Sequence, residues 1–207
     1  MEPNSKTSGA SLAMRPQGAA GRAFGVLMEA INTPAYAFAL DLLELTPRCD
    51  VLEIGFGTGR MLEKLLEATR GRVFGLDPTP TMLAVARAKP GVRRAGARAV
   101  LRLGGDADLD WIDGPLDRVV ANHSFQFWPR PEATVRRLFA LLQPGGRVVL
   151  LLRDHTRLSP EGLPNPLSQR SDEPGAAVEL FERAGFRARP AHRGHMIGLV
   201  GDKPGDL

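Results

Sequence analysis

The sequence predicts a doubly wound, mostly parallel α/β sheet of seven strands, ending in an antiparallel hairpin and preceded by lid helices. Three observations carry that expectation. Short apolar runs alternate with amphipathic stretches from residue 50 onward, the pattern of right-handed strand–helix–strand units. The run Val51–Arg60 (VLEIGFGTGR) passes from a buried strand into a helix through three alternating glycines. The last two apolar runs lie too close together for a crossover helix, so they pair as a hairpin.

The elements follow in order. Residues 1–18 (MEPNSKTSGASLAMRPQG) lack an apolar core of signal-peptide length and are rich in Pro, Ser, Gly and Asn, which predicts a disordered leader. A single domain is expected over 19–201, with a tail at 202–207. Its first part, 19–45, carries apolar residues at helical spacing interrupted by Pro34, which predicts two short lid helices, the second capped by Thr33. Strands are expected at 50–54, 72–77, 97–103, 117–121 and 146–153, with the hairpin near 186–192 and 195–201. Helices are expected at 58–70, 80–89, 131–142 and 174–184, with a helical turn near 107–112. Residues 154–173 are proline-rich and aperiodic, and read as a long loop.

A chain of 207 residues suits one well-buried domain and is short for two. Its 43% hydrophobic and 24% charged content are globular values. No apolar stretch reaches the ~18 residues of a membrane span, and a cytoplasmic protein is the simplest expectation. Cys49 is the only cysteine, which excludes an internal disulfide and a cysteine-based metal cluster. No His/Asp/Glu cluster suggests a divalent metal. A net charge of +4 and pI ≈ 9.8 would suit an RNA partner. That charge is nearly all arginine and scattered without a dense run, lysine standing only at 6, 64, 89 and 203, so nucleic acid is not the expected partner.

Chemistry concentrates where the strands end. The helix after the glycine turn offers unpaired N–H groups and a partial positive charge to an anionic group. The next strand, RVFGLD, ends in Asp77, where a carboxylate can accept from a ribose diol. A nucleoside-containing ligand at the carboxyl edge of a parallel sheet follows. A dinucleotide fingerprint would need a third glycine where Arg60 stands; the pattern here is E-x-G-x-G-x-G, beginning at Glu53. That pattern resembles motif I of the class I S-adenosylmethionine (SAM) methyltransferases, whose sheet is Rossmann-like. LDPTPTMLAVAR (76–87), GGDADLDW (104–111), DRVVANHSFQFW (117–128), LLQPGGRVVLLL (141–152) and FERAGF (181–186) resemble the family's later motifs, in order, over residues 45–201.

The resemblance implies S-adenosylmethionine as cofactor and S-adenosylhomocysteine as product. Gly55 and Gly57, with Phe56 and Thr58 between and after them, are expected to carry the chain beneath the methionine carboxylate, N–H groups facing it; Gly59 permits close helix packing. Glu53 is expected near the cofactor amino group, or else as a cap for a neighbouring loop. Asp77 would bind the ribose. Pro78 and Met82 would line the adenine pocket, unless Met82 is core filler. Gly105, Asp106 and Ala107 form the adenine turn, where Asp106 could also be a helix cap. Asn122 ends strand four, its backbone carbonyl expected to face the cofactor amino group, and His123 follows directly beside the cofactor.

The acceptor should sit beyond the same strand ends. Phe125, Phe127 and Trp128 would make an apolar wall there, or pack the following helix. His123 is the first candidate for a general base and His155 the second; either could be a plain loop histidine. Tyr36 could reach the acceptor from the lid or rim the core. Direct in-line transfer needs little acid–base help, because positioning alone lowers such a barrier by roughly 7–11 kcal/mol. The sequence thus implies methyl transfer to a small, partly hydrophobic metabolite. An RNA or protein acceptor is the alternative, and a nicotinamide-dependent oxidoreductase or a non-catalytic nucleotide-binding protein the alternative of another class.

Overall fold

The computed structural model describes residues 18–152 and 174–205, without the side chains of 18–28, 30 and 31. Seven strands form one sheet: β1 (Val51–Ile54), β2 (Val73–Asp77), β3 (Ala99–Leu103), β4 (Leu116–Asn122), β5 (Leu142–Leu152), β6 (Arg187–Arg193) and β7 (Met196–Asp202), ordered β3-β2-β1-β4-β5-β7-β6. β1 to β5 run parallel, and β7 lies antiparallel between β5 and β6. β1 and β2 are buried along their whole length, as strands covered on both faces must be.

Alternation along each strand feeds two cores. Leu52 and Ile54 face a core closed by α5 (Pro131–Leu141) and α6 (Pro174–Arg183) through Leu138 and Phe181. Val51 and, on β4, Val120 face the other core, closed by α1 (Gly18–Leu43), α2 (Arg60–Ala68), α3 (Pro80–Ala88) and the short α4 (Pro90–Ala95). Glu53 shares the parity of Val51 and therefore points to the face that α1 covers.

Several expectations need correction. The lid is one 26-residue helix with Pro34 inside it, not two. Proline removes one helical donor, yet burial of Ala35, Phe38, Ala39 and Leu43 holds the helix on its course. Thr33 is no cap: its hydroxyl donates back to the Glu29 carbonyl at 3.0 Å. Residues 107–112 form turns, Asp108 N–H bonding the Gly105 carbonyl and Ile112 N–H the Leu109 carbonyl. β5 begins at Leu142, directly after α5, because Leu142 pairs with Leu116 before the register shifts between Leu116 and Arg118. The tail expected from 202 begins inside β7, which includes Asp202. The 154–173 loop and its His155 lie outside the described residues. No described helix is long and apolar enough to cross a membrane.

Strand order reverses between β1 and β4, since β2 and β3 lie on one side and β5 on the other. A ligand crevice opens at such a switch point, beyond the carboxyl ends of the strands.

Candidate active site

Gly55 and Gly59 are glycines for steric reasons. At Gly55 φ is +78° and a Cβ would stand 2.5 Å from the Ser124 Cβ. At Gly59 φ is +82° and a Cβ would stand 2.7 Å from the Ala86 Cβ, so α2 and α3 pack through this gap. The glycine donors of the turn are used internally. Gly55 N–H donates to the Leu76 carbonyl at 2.7 Å, Gly57 N–H to Asp77 Oδ2 at 2.8 Å and Gly59 N–H to the Phe56 carbonyl at 2.9 Å. The glycine N–H groups thus brace the turn itself, against β2 and Asp77. Phe56 is core, and Thr58 gives its hydroxyl to Glu29 Oε2 at 2.8 Å.

Asp77 ends β2 as expected. Besides Gly57, its carboxylate accepts the Thr79 N–H on Oδ1 at 2.9 Å. Burial raises its pKa above the ordinary aspartate value, against those hydrogen bonds. Each oxygen keeps a further lone pair. Pro78 is exposed at the lip, while Met82 is 2% exposed within the α1-side core, which makes it filler. Asp106 is buried and accepts the Thr134 hydroxyl of α5 on Oδ2; it caps no helix. Burial is also what raises its pKa. Gly105 is half-buried and Ala107 exposed beside it.

At the switch point two acceptors lack donors. Glu53 is 1% exposed and its Oε2 has no hydrogen-bond partner among the described residues; the same is true of the buried Asn122 Oδ1. Burial, and then the nearby Asp77 charge, pushes the Glu53 carboxyl well above the usual range. Asn122 is followed by His123 in the left-handed region, φ +53°, its N–H on the Leu151 carbonyl. Ser124 Oγ donates to the Ile54 carbonyl at 2.6 Å, locking this loop onto the glycine turn.

The aromatic wall is mostly core. Phe125 and Trp128 are 1% and 2% exposed, meet edge-on at 5.0 Å, and pack in the α5-side core because the 3₁₀ turn 125–127 folds them beneath the sheet edge. Only Phe127 of the three stays half-exposed. Tyr36 is buried on α1, hydrogen-bonded to the Asn32 side chain; burial first, then the charges of Glu53 and Glu29, raise its pKa, so the phenol stays neutral. Its burial puts it at the core rim, one of the two positions expected for it. Sequence reasoning missed Ser124, Thr134 and Glu29, whose partners lie 70, 28 and 29 residues away.

Among the described residues no group of three His, Cys, Asp or Glu could hold a metal. The donor-less acceptors at Glu53 and Asn122 suit a ligand ammonium with its three N–H donors, and the Asp77 carboxylate suits a diol. The site's set of acceptors thus fits S-adenosylmethionine.

Comparison with known proteins agrees. Residues 52–150 match the methyltransferase-domain family. Demethylmenaquinone methyltransferase of Thermus thermophilus is 37% identical over 118 residues, 55% of this chain and 51% of that protein. The chain spans about half or less of the length of this and other curated methyltransferases, among them nocamycin O-methyltransferase of Saccharothrix syringae. A methyltransferase solved with the Haloferax volcanii Trm112 methyltransferase activator superposes with TM-score 0.77 at 19% identity, covering 94% of this chain and 99% of that one. DhpI, solved in complex with SAH, superposes with TM-score 0.67 at 23% identity, covering 90% and 92%.

Proposed function

We propose that this chain, whose residues 52–150 match the methyltransferase-domain family, acts as a class I SAM-dependent methyltransferase and transfers a methyl group by in-line displacement to a small, partly hydrophobic metabolite. The observation that carries the reading is the pair of buried acceptors without donors, Glu53 Oε2 and Asn122 Oδ1, at the switch point. Bound SAM supplies an electrophilic methyl on a sulfonium.

The chain's own groups divide the labour. Glu53 and Asn122 accept from the amino end of the ligand, and their burial excludes water from that end. Asp77 accepts from ribose hydroxyls with the lone pairs that Gly57 and Thr79 leave. Asp106, oriented by Thr134, accepts from the adenine amino group. Ser124 holds the Asn122–His123 loop against the turn, which fixes the line of approach. His123 takes the acceptor's proton where the acceptor carries one, and Phe127 offers it apolar surface.

Calorimetric titration with SAM, S-adenosylhomocysteine and NAD tests the cofactor. Binding of both adenosyl ligands and not NAD is expected; NAD binding alone would sink the reading. Asp77→Asn keeps one acceptor for the buried amides and should weaken SAM by about 10–100-fold, from a lost charged hydrogen bond of ~1.5–3 kcal/mol. Asp77→Ala is the poorer variant, because it strands the Gly57 and Thr79 N–H groups. A labelled-methyl screen with small acceptors then tests transfer, and SAM binding without transfer to any acceptor favours a silent binding protein.

A further inference from the structure

We propose that Glu29 is a positioning residue for the cofactor crevice: it binds the Thr58 hydroxyl and the Lys89 ammonium together and so fastens α1 across the glycine turn. The inference rests on the site reading above. Its carboxylate accepts from Thr58 Oγ1 at 2.8 Å and from Lys89 Nζ at 2.9 and 3.2 Å, and lies 3.7 Å from Arg60 Nε. Three elements meet there: the turn after β1, the first residue of α2, and the junction between α3 and α4. Lys89 is braced in turn by Glu63 at 3.8 Å, which also accepts the Gly91 N–H at 2.9 Å.

The helix gives Glu29 company on one face. Asn32 and Tyr36 stand three and seven residues on, at spacings that share a stripe. Tyr36 lies near enough to Glu53 for that charge to act on it. One stripe of α1 therefore reaches both flanks of the turn, Thr58 at one end and Glu53 at the other. Beyond Pro34 the helix is held by Phe38, Ala39 and Leu43 in the core. Ahead of Pro34, among the described side chains, Glu29 makes the ties to the turn. Burial opposes ionisation of Glu29, but the Lys89 and Thr58 hydrogen bonds and the Lys89 and Arg60 charges outweigh it, so the carboxyl lies below its ordinary value and stays ionised at neutral pH.

Purified full-length protein and its Glu29→Ala, Glu29→Gln and Lys89→Met variants provide the test. Readouts are S-adenosylhomocysteine affinity by calorimetry, deuterium exchange peptide by peptide, and the melting temperature. Glu29→Ala should weaken the ligand about ten-fold, the size of one charged hydrogen bond, and speed exchange in 18–33 while leaving β4 and β5 protected. Glu29→Gln keeps an acceptor for Thr58 and loses the Lys89 pair, so it should fall between Glu29→Ala and wild type. Affinity within two-fold of wild type and unchanged exchange overturn the proposal. Loss of protection throughout the sheet overturns it too, since Glu29 would then be a stability residue. If Glu29→Ala does not fold, the other two variants carry the same readouts. A wild-type protein that binds no S-adenosylhomocysteine overturns the site reading instead, and exchange in 18–33 still decides the latch.

Discussion

Glu53 places a nearly inaccessible carboxyl, one oxygen without a donor, in the strand where valine or isoleucine would pack at no penalty. Its folded pKa is raised, so the folded state holds its proton more tightly than the unfolded chain does. No penalty arises below the unfolded value of about 4.3. As pH rises from there toward the folded pKa, wild type loses ~1.4 kcal/mol per pH unit. Glu53→Gln removes that slope, and should be about 1–3 kcal/mol more stable than wild type at pH 7 while binding S-adenosylhomocysteine more weakly. Urea unfolding at pH 5 and pH 8 reads the difference; equal slopes for the two proteins would refute the account. Stability set aside for binding is the pattern expected of a site residue.

Within the turn after β1 the glycines have separable reasons. A Cβ at Gly55 would stand 2.5 Å from the Ser124 Cβ, and the position also needs φ +78°, whereas Gly57 needs φ +52° with no atom within 4 Å of its missing Cβ. Gly57→Ala should therefore cost about 1 kcal/mol, the left-handed penalty alone. Gly55→Ala adds overpacking worth a further 1–3 kcal/mol or so, and it should displace the His123 loop. Denaturant midpoints of the two variants rank the effects, and equal losses would mean that Ser124 yields freely. Turn and loop thus act as one element, joined by the Ser124 bond to the Ile54 carbonyl.

Across the whole molecule, Arg147 joins what the sheet separates. Its guanidinium meets Asp202 Oδ1 at 2.6 Å, Glu44 Oε1 at 2.8 Å and the Leu42 carbonyl at 2.8 Å, tying β5 and β7 to the C-terminal end of α1. Arg147→Met leaves those acceptors partly solvated, so about 1–3 kcal/mol should be lost. Both cores share the same strands, so melting followed by far-ultraviolet dichroism and by tryptophan fluorescence should remain one coincident transition. Two separated transitions would show that the α1 face unfolds by itself.

The strand–helix alternation, the glycine turn and the acid ending β2 were legible in the sequence, because each is written in consecutive residues whose spacing sets its own geometry. So was the terminal hairpin, from the shortness of its connection. Register and packing decided the rest. They put Phe125 and Trp128 into the core, made the Pro34 region one helix through the apolar face it buries, and turned the glycine amides inward onto Asp77 and the backbone. They also brought Glu29 to Thr58 and Thr134 to Asp106. Such pairings depend on how separate elements stack on a shared sheet, and no local spacing encodes a contact between residues that meet only after the chain has closed.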